Sequence, residues 1–354
     1  MFKLQFDSLI TIPSTLLIVL GLTILRSIVP DLFTSQLIFA IFAVLIFIFA
    51  SSIDSEVFFS LGSLGYFFFL ILTMSLPVLG FLSRGATRWI QLGSFTLQPS
   101  ELLKPFLLLA LAHVATFHST RQNLLLMLLG VIPILIVFIQ PDLGTSLVLF
   151  VGWCGFVLTR FRLKSLISLF LIFMISAFPI YQFILKDYQR QRITTFINPY
   201  TDPLGRGYHI IQSMIAVGSG QLFGRGLGHG TQTQLRFLPE HHTDFIFSSI
   251  SEELGFVGSS ITILLYFVLL FRIYRISQET TDTKSALFCL SALGMLGFQI
   301  FVNIGMNIGL SPITGITLPM LSYGGSSLLS TSIILAVINS ISAKIHGQKY
   351  WSIR

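Results

Sequence analysis

The stretch "DFIFSSISEELGFVGSSITILLYFVLLF" (Asp244–Phe271) begins with an acid and soon becomes predominantly apolar. An α-helix needs roughly 20 mostly apolar residues to cross a bilayer, and the run 245–272 is long enough. Asp244, Ser248 and Glu252 recur at four-residue intervals, which places them on one face of a helix. Asp244 could have only a structural role, because a negative charge stabilises the N-terminus of a helix. Glu252 lies two turns further in, where ionisable groups usually face a cavity or pathway.

The composition of the whole chain is that of a membrane protein. Of its 354 residues, 53% are hydrophobic and only 10% are charged, whereas soluble domains carry about 25% charged residues. We expect an all-α, polytopic integral membrane protein whose single domain covers residues 1–354. About ten transmembrane helices are predicted, at 9–29, 36–52, 57–81, 99–117, 123–140, 143–160, 164–185, 245–272, 284–309 and 321–343.

The basic residues indicate membrane topology and give no support for nucleic-acid binding. The formal net charge is +7, but the Lys and Arg residues lie in loops between apolar runs and form no cluster on a soluble face. Their distribution over the short loops predicts that both termini lie in the cytoplasm. Cys154 and Cys289 lie inside apolar runs, so we expect neither a disulfide framework nor a cysteine metal site.

A polar, glycine-rich segment at about 186–243 separates the seventh and eighth predicted spans. Loops longer than about 15 residues are usually functional or disordered, and this one carries apolar residues at helical spacing in "GYHIIQSMIAVGSG". We expect a large, partly folded extracellular loop. Its stretch "GSGQLFGRGLGHG" (Gly218–Gly230) is compatible with a nest of backbone N–H groups that binds phosphate, and equally with a flexible loop.

Charged residues also lie at the start of the fourth span and between the fifth and sixth. Glu101 and Lys104 are three residues apart and can pair on one helix face. Such a pair could only orient helices, or it could place the Lys104 cation against a phosphate. Arg88 lies just outside this span. Asp142, in "QPDLGTS", could be no more than a turn residue.

The ninth span carries a polar stripe of Gln299, Asn303 and Asn307 at four-residue intervals. Stripes of this kind most often hold helices together in a membrane. "SYGGSS" (Ser322–Ser327), which opens the last span, permits close helix approach or a backbone turn.

On this topology, the strongest polar features converge on the outer surface. A transporter would place its charges near the bilayer midplane, on broken helices. The outer location favours an enzyme that acts at the external interface on a substrate with an anionic head and a lipid tail. The residues alone do not name that substrate.

Six motifs together resemble the shape, elongation, division and sporulation family, which includes RodA and FtsW. They are "GATRWIQLG…QPSELLK", "QPDLGTS", "FINPYTDPLGRGYHIIQS", "GSGQLFGRGLGHGTQ", "LPEHHTDFIFSSISEELGFVG" and "NIGMNIGLSPITGITLPMLSYGGSS". "SPITGI" and the short termini are closer to the RodA branch. "GYH" departs from the more usual "GYQ", which leaves the role of His209 open.

The resemblance implies a peptidoglycan glycosyltransferase that polymerises lipid II on the outer face of the bacterial cytoplasmic membrane. It further implies a class B penicillin-binding protein as partner and a role in cell elongation. Three alternatives stay open: a division-specific polymerase like FtsW, a lipid II flippase, and a scaffold that only holds its partner.

The resemblance also places the family's catalytic aspartate on Asp244, and it attaches importance to Glu101, Lys104 and Asp142. A single inverting displacement then needs Asp244 as the general base for the acceptor 4-hydroxyl. The pyrophosphate leaving group needs positive charge, supplied by side chains or by a divalent cation such as Mg²⁺ or Mn²⁺. The candidate cations are Lys104, Arg88, Arg190 and Arg192. Glu252 completes the predicted substrate-binding set.

Overall fold

A computed structural model describes residues 6–351 except 84–85, 94, 117–118, 162–181, 183–189, 191–193, 204, 206 and 236. Within these residues, eight helices are long and apolar enough to cross a membrane, which confirms an α-helical, multi-pass membrane protein. The helices are α1 Ser8–Ile28, α2 Pro30–Ser51, α3 Ser55–Met74, α4 Leu76–Leu79, α5 Pro99–Ala115, α6 Thr120–Ile139, α7 Leu143–Arg160, α8 Tyr208–Ser219, α9 Thr231–Gln234, α10 Ile246–Glu279, α11 Thr283–Asn307 and α12 Gly325–Trp351.

The predicted bounds of a span agree closely with those of its helix where the apolar run begins and ends abruptly. The sixth prediction, 143–160, has the bounds of α7. Helix α2 begins at Pro30, six residues before its predicted start, because proline suits the first helical position although polar residues follow it. The seventh predicted span, 164–185, lies outside the described residues apart from Gln182.

A small antiparallel sheet follows α4 and was not predicted. Its strands are β1 Phe81–Ser83, β2 Ala86–Leu92 and β3 Phe95–Leu97, in the order β1-β2-β3. The turn after β2 contains Gly93 with φ of 62°, a left-handed conformation that favours glycine. The third span therefore ends at Met74, short of the predicted residue 81, and the chain forms a hairpin before α5.

Helix α5 lies inside the bundle although it has only 17 residues. It packs against α3, α6, α7, α11 and α12, and nearly all of its side chains are buried. A methyl group added at Gly62 of α3 would lie 2.5 Å from Cβ of Leu109, so glycine permits this close helix contact. The charged first turns of α5 are therefore enclosed by other helices.

Helix α10 is broken at Gly255, where φ is 67°. The Gly-rich loop fills this break. The N–H groups of Arg225 and Gly226 donate to the carbonyl oxygens of Glu252 and Glu253, over 2.9 and 3.0 Å. In return, Phe256 N–H donates to Gln221 and Val257 N–H to Leu222. Helix ends leave such groups unsatisfied, and the loop supplies their partners.

This docking overturns both interpretations of the Gly-rich stretch, the phosphate nest and the flexible loop. The N–H groups of Arg225, Gly226 and Gly228 already bond the α10 backbone or the Glu253 carboxylate. A methyl group at Gly224 would lie 2.1 Å from the Glu253 carbonyl oxygen. Gly220 and Gly224 therefore serve close packing against the α10 backbone.

The start of α1 and the end of α12 lie at the same end of the bundle. Asp7, which caps α1, accepts hydrogen bonds from Ser342 Oγ at 2.6 Å and from Arg272 Nε at 2.7 Å. At the opposite end lie Asp244, Asp142 and the sheet. Three of the residues predicted to form the site, Asp244, Asp142 and Arg88 of the sheet, therefore share one end.

Candidate active site

An irregular segment, 308–324, joins α11 to α12 at the end of the bundle that holds Asp244, and its second half, 316–324, is largely buried. Backbone polar groups in such a place need internal partners. Asn303 Nδ2 donates to the Ile316 carbonyl oxygen at 2.7 Å, and Tyr266 Oη donates to that of Pro319 at 2.6 Å. Side chains of neighbouring helices thus hold the segment in place.

Asp244 lies in the turn immediately before α10 and is half-buried. Its backbone carbonyl oxygen accepts two hydrogen bonds, from Asn303 Nδ2 at 3.1 Å and from Asn307 Nδ2 at 3.0 Å. Asn307 Oδ1 also accepts from Ser248 N–H at 2.9 Å. The polar stripe of α11 therefore fixes the backbone on both sides of the α10 start, a more specific role than the predicted helix-to-helix contact.

The carboxylate of Asp244 lies beside Gly315 of the irregular segment. A methyl group added at Gly315, where φ is 75°, would lie 3.7 Å from Asp244 Oδ2. Thr314, the residue before Gly315, lies against the start of α7. A methyl group added at Gly144 of α7 would lie 2.6 Å from the Thr314 carbonyl oxygen. Residues 314–315 therefore lie between Asp244 and the N-terminus of α7.

Asp142 caps α7 at that N-terminus. Its Oδ1 accepts from Thr145 N–H at 3.2 Å, and its Oδ2 accepts from Gln98 Nε2 at 2.9 Å. Arg88 of β2 approaches the same carboxylate, with 3.8 Å between Nη1 and Oδ1. Arg88 also donates to the carbonyl oxygens of Gln140 and Pro141. The structure thus joins the predicted Arg88 and Asp142, and adds Gln98, which the sequence did not single out.

Glu101 and Lys104 form the predicted ion pair. Lys104 Nζ lies 2.6 and 2.7 Å from the two carboxylate oxygens of Glu101, and both residues are buried. Two of the three ammonium protons are therefore directed at one carboxylate. Substrate contact by Lys104 stays a prediction.

Glu252 has a different environment from the one that its spacing suggested. It is fully buried, and its carboxylate accepts from Gln232 N–H at 2.8 Å and Thr233 N–H at 3.1 Å, at the start of α9. Ser248 is also fully buried and bonds Asn307. The expectation of one helix face shared with Asp244 is wrong, because Asp244 precedes the helix. Glu252 holds the loop that precedes α10, and substrate contact by it stays a prediction.

Of the two arginines predicted in the loop, Arg190 lies within the described residues. Arg190 Nη2 donates to the carbonyl oxygen of Gln182 at 2.8 Å. Arg192 lies outside the described residues. Substrate contact by Arg190 and by Arg192 stays a prediction.

Aromatic and hydroxyl residues next to Asp244 complete the site and were missed as a group. Tyr323 N–H donates to the His242 carbonyl oxygen at 2.9 Å, and the two rings lie 5.7 Å apart. Ser322 Oγ donates to the Thr243 carbonyl oxygen at 2.7 Å. The sequence signals were the "HHTD" and "SYGG" motifs, but only tertiary structure places one on the other.

His209, whose role the sequence left open, lies on α8 and is half-buried. Burial lowers the pKa of His209, and the negative charge of Glu240 opposes that shift. Among the described residues, no group of three or more His, Cys, Asp or Glu side chains could hold a metal ion. A divalent cation stays a prediction from the leaving-group chemistry.

The fold and site define a multi-pass membrane protein with acids and cations gathered at one end of its bundle. The profile of the FtsW/RodA/SpoVE family, described as cell cycle protein, matches residues 6–346. The chain belongs to this family, as the motifs predicted.

Relatives and a solved structure agree with this membership. Peptidoglycan glycosyltransferase MrdB of Escherichia coli (strain K12) is 40% identical over 282 residues, which cover 78% of this chain and 76% of that protein. Stage V sporulation protein E of Bacillus subtilis (strain 168) is 40% identical over 293 residues, with the same two shares, 78% and 76%. A chain from "Structural coordination of polymerization and crosslinking by a peptidoglycan synthase complex" aligns with a TM-score of 0.83 and 32% identity, covering 97% of this chain and 99% of that chain.

Proposed function

We propose that this chain is a peptidoglycan glycosyltransferase that polymerises lipid II, with Asp244 as the general base. The similar protein MrdB is named a peptidoglycan glycosyltransferase, which supports this activity. One structural observation carries the assignment of the base. Asn303 and Asn307 fix the Asp244 backbone, so the half-buried carboxylate beside Gly315 is not needed for that anchoring.

The chemistry is a single inverting displacement. Asp244 removes the proton from the 4-hydroxyl of the acceptor sugar while that oxygen attacks C1 of the donor sugar. The bond from C1 to the pyrophosphate oxygen breaks, and its electron pair leaves with the pyrophosphate. A positioned base contributes about 10²–10⁴-fold to such a step.

The leaving pyrophosphate needs a nearby cation, and Arg88 is the best placed of the candidates. About a third of its side chain is exposed (32%), and it lies at the same end of the bundle as Asp244. Lys104 is only 3% exposed and is already paired with Glu101. We therefore assign Arg88 to the phosphate and Lys104 to the support of α5.

The end that holds Asp244 faces the outside of the bacterial cytoplasmic membrane. Basic residues at the opposite end, among them Arg272, Lys284 and Lys344, are expected on the cytoplasmic side. Both termini then lie in the cytoplasm, and a lipid-anchored sugar reaches Asp244 from the outer leaflet.

The partner is a class B penicillin-binding protein that crosslinks the new strands. The structurally similar chain belongs to a complex that coordinates polymerization and crosslinking, which supports this assignment. We assign the chain to cell elongation because of its "SPITGI" motif. The equal identities to MrdB and to the sporulation protein do not distinguish the branches.

The test uses the purified chain in liposomes with fluorescent lipid II, with and without its partner. Glycan chains resolved on a gel are the expected product. Movement of lipid II between leaflets without polymer would support a flippase. If the chain produced no polymer and moved no lipid with the partner present, the scaffold alternative would be supported and the proposal contradicted.

A further inference from the structure

A groove of about 510 Å³ lies between α1, the first turn of α2 and the Gly-rich loop. Val19 and Leu22 of α1 and Leu227 of the loop give it apolar walls, and Arg26 is the cation that lines it. The two walls are joined through Glu253, whose Oε1 accepts from Ser27 Oγ at 2.6 Å and from Gly228 N–H at 2.9 Å. The groove is therefore a built feature of the fold.

Arg26 lies at headgroup height on the same membrane face as the candidate active site. Helix α1 has 21 residues, so it is about 30 Å long, and Arg26 lies two residues before its end. The side chain is exposed, and its guanidinium carbon lies 5.6 Å from the centre of the Phe33 ring. Among the ion pairs of the described residues, none includes Arg26. An exposed cation at this height attracts anionic lipid.

The Gly-rich loop next to the groove carries exposed apolar side chains. Leu222 and Phe223 are 61% and 81% exposed. The backbone of Leu222 bonds Val257 of α10, and neighbouring Phe256 is 66% exposed on a helix that crosses the membrane. Exposed apolar side chains beside a membrane helix are expected to contact lipid. The loop therefore borders the outer leaflet, and the groove opens into acyl chains.

We propose that this groove binds one anionic phospholipid of the outer leaflet. Its phosphodiester would contact Arg26, and one acyl chain would lie along Val19, Leu22 and Leu227. A single cation matches the single charge of a phosphodiester, whereas a pyrophosphate calls for more positive charge. The bound lipid would hold the loop that closes the break in α10.

Native mass spectrometry of the full chain, released from bilayers of phosphatidylglycerol and phosphatidylcholine, tests the charge contact. Wild type should retain phosphatidylglycerol in preference to phosphatidylcholine, and Arg26→Gln should reduce that preference by about five-fold, the effect of one cation. Arg275→Gln is the matched control, because Arg275 is 55% exposed at the opposite end of the bundle. Equal preference in Arg26→Gln and Arg275→Gln would overturn the proposal.

A second pair of variants tests the apolar walls without changing charge. Val19→Trp should fill the groove and reduce lipid retention, whereas Leu16→Trp, one turn away on the same exposed stripe, should not. Retention unchanged by Val19→Trp would contradict binding in this groove. Displacement of phosphatidylglycerol by equimolar undecaprenyl phosphate would show that the groove belongs to the substrate lipid and would also overturn the proposal.

Discussion

Asn307 holds Asp244 by its backbone: its Nδ2 donates to the Asp244 carbonyl oxygen over 3.0 Å. The same buried carboxamide accepts from Ser248 N–H. One side chain at the end of α11 thus fixes the turn that carries the proposed base, without using the carboxylate. This separates positioning from proton transfer, and the two can be tested separately.

Asn307→Leu should misplace Asp244. The change leaves the buried Ser248 N–H without its partner, at a cost of about 1–3 kcal/mol, and leaves the Asp244 carbonyl oxygen with the bond from Asn303 alone. We expect the kcat of lipid II polymerisation to fall by about ten-fold or more, because small displacements of catalytic groups are costly. KM should change little, as measured by initial rates over a range of lipid II concentrations.

Asn123→Leu is the control for that variant. Asn123 Oδ1 accepts from Arg160 Nε at 2.6 Å, at the opposite end of the bundle. Asn123→Leu should lower thermal stability but leave the kcat of lipid II polymerisation unchanged. If both variants lost kcat in proportion to their loss of stability, Asn307 would have only a structural role.

Glu101→Gln should destabilise the fold strongly. It leaves the Lys104 ammonium buried without its counter-charge, which costs about 3–5 kcal/mol when one partner of a buried pair is removed. Thermal unfolding in detergent measures the loss. Glu56→Gln, which weakens exposed pairs with Lys284 and Lys344, should cost less than about 1 kcal/mol per pair.

The double variant Glu101→Gln with Lys104→Met separates stability from catalysis. Removing the stranded charge should recover much of the lost stability. Because we assign Lys104 to support of α5, polymerisation should recover with it. A stable but inactive double variant would return Lys104 to the substrate-binding set.

Gly224→Ala should dislodge the loop from the break in α10. The added methyl group would lie 2.1 Å from the Glu253 carbonyl oxygen, and φ at Gly224 is 81°. Gly218→Ala is the matched control, since a methyl group there meets nothing within 4 Å and alanine favours the helix. Hydrogen exchange at Arg225 and Gly226 should accelerate in Gly224→Ala alone; unchanged protection would contradict the docking role.

The spans could be predicted because each depends on a local run of apolar residues. Helix α7 follows from its apolar run. The pair Glu101–Lys104 follows from spacing, since residues three or four apart meet on a helix. The hairpin before α5 was missed because its strands are short and adjoin a long apolar run, which the hydropathy pattern extended to residue 81.

The loop and the site could not be predicted in the same way, because their contacts join residues far apart in the chain. Glu252 bonds Gln232 and Thr233, which lie 20 and 19 residues earlier in the chain, and the spacing of Glu252 assumed a helix that begins at Asp244, whereas α10 begins at Ile246. Arg88 likewise meets Asp142 only through the hairpin.

The most direct test of the central claim is the initial rate of polymerisation by Asp244→Asn at saturating lipid II, with the partner present. The amide keeps the side-chain shape, and the bonds from Asn303 and Asn307 reach the backbone, so these two bonds should be retained. Asp31→Asn, an exposed acid in the first turn of α2, is the control and should retain full activity. We predict a fall of about 10²-fold or more for Asp244→Asn, as expected for a lost general base. A rate close to that of wild type would contradict the account and make Asp142 the next candidate for the base.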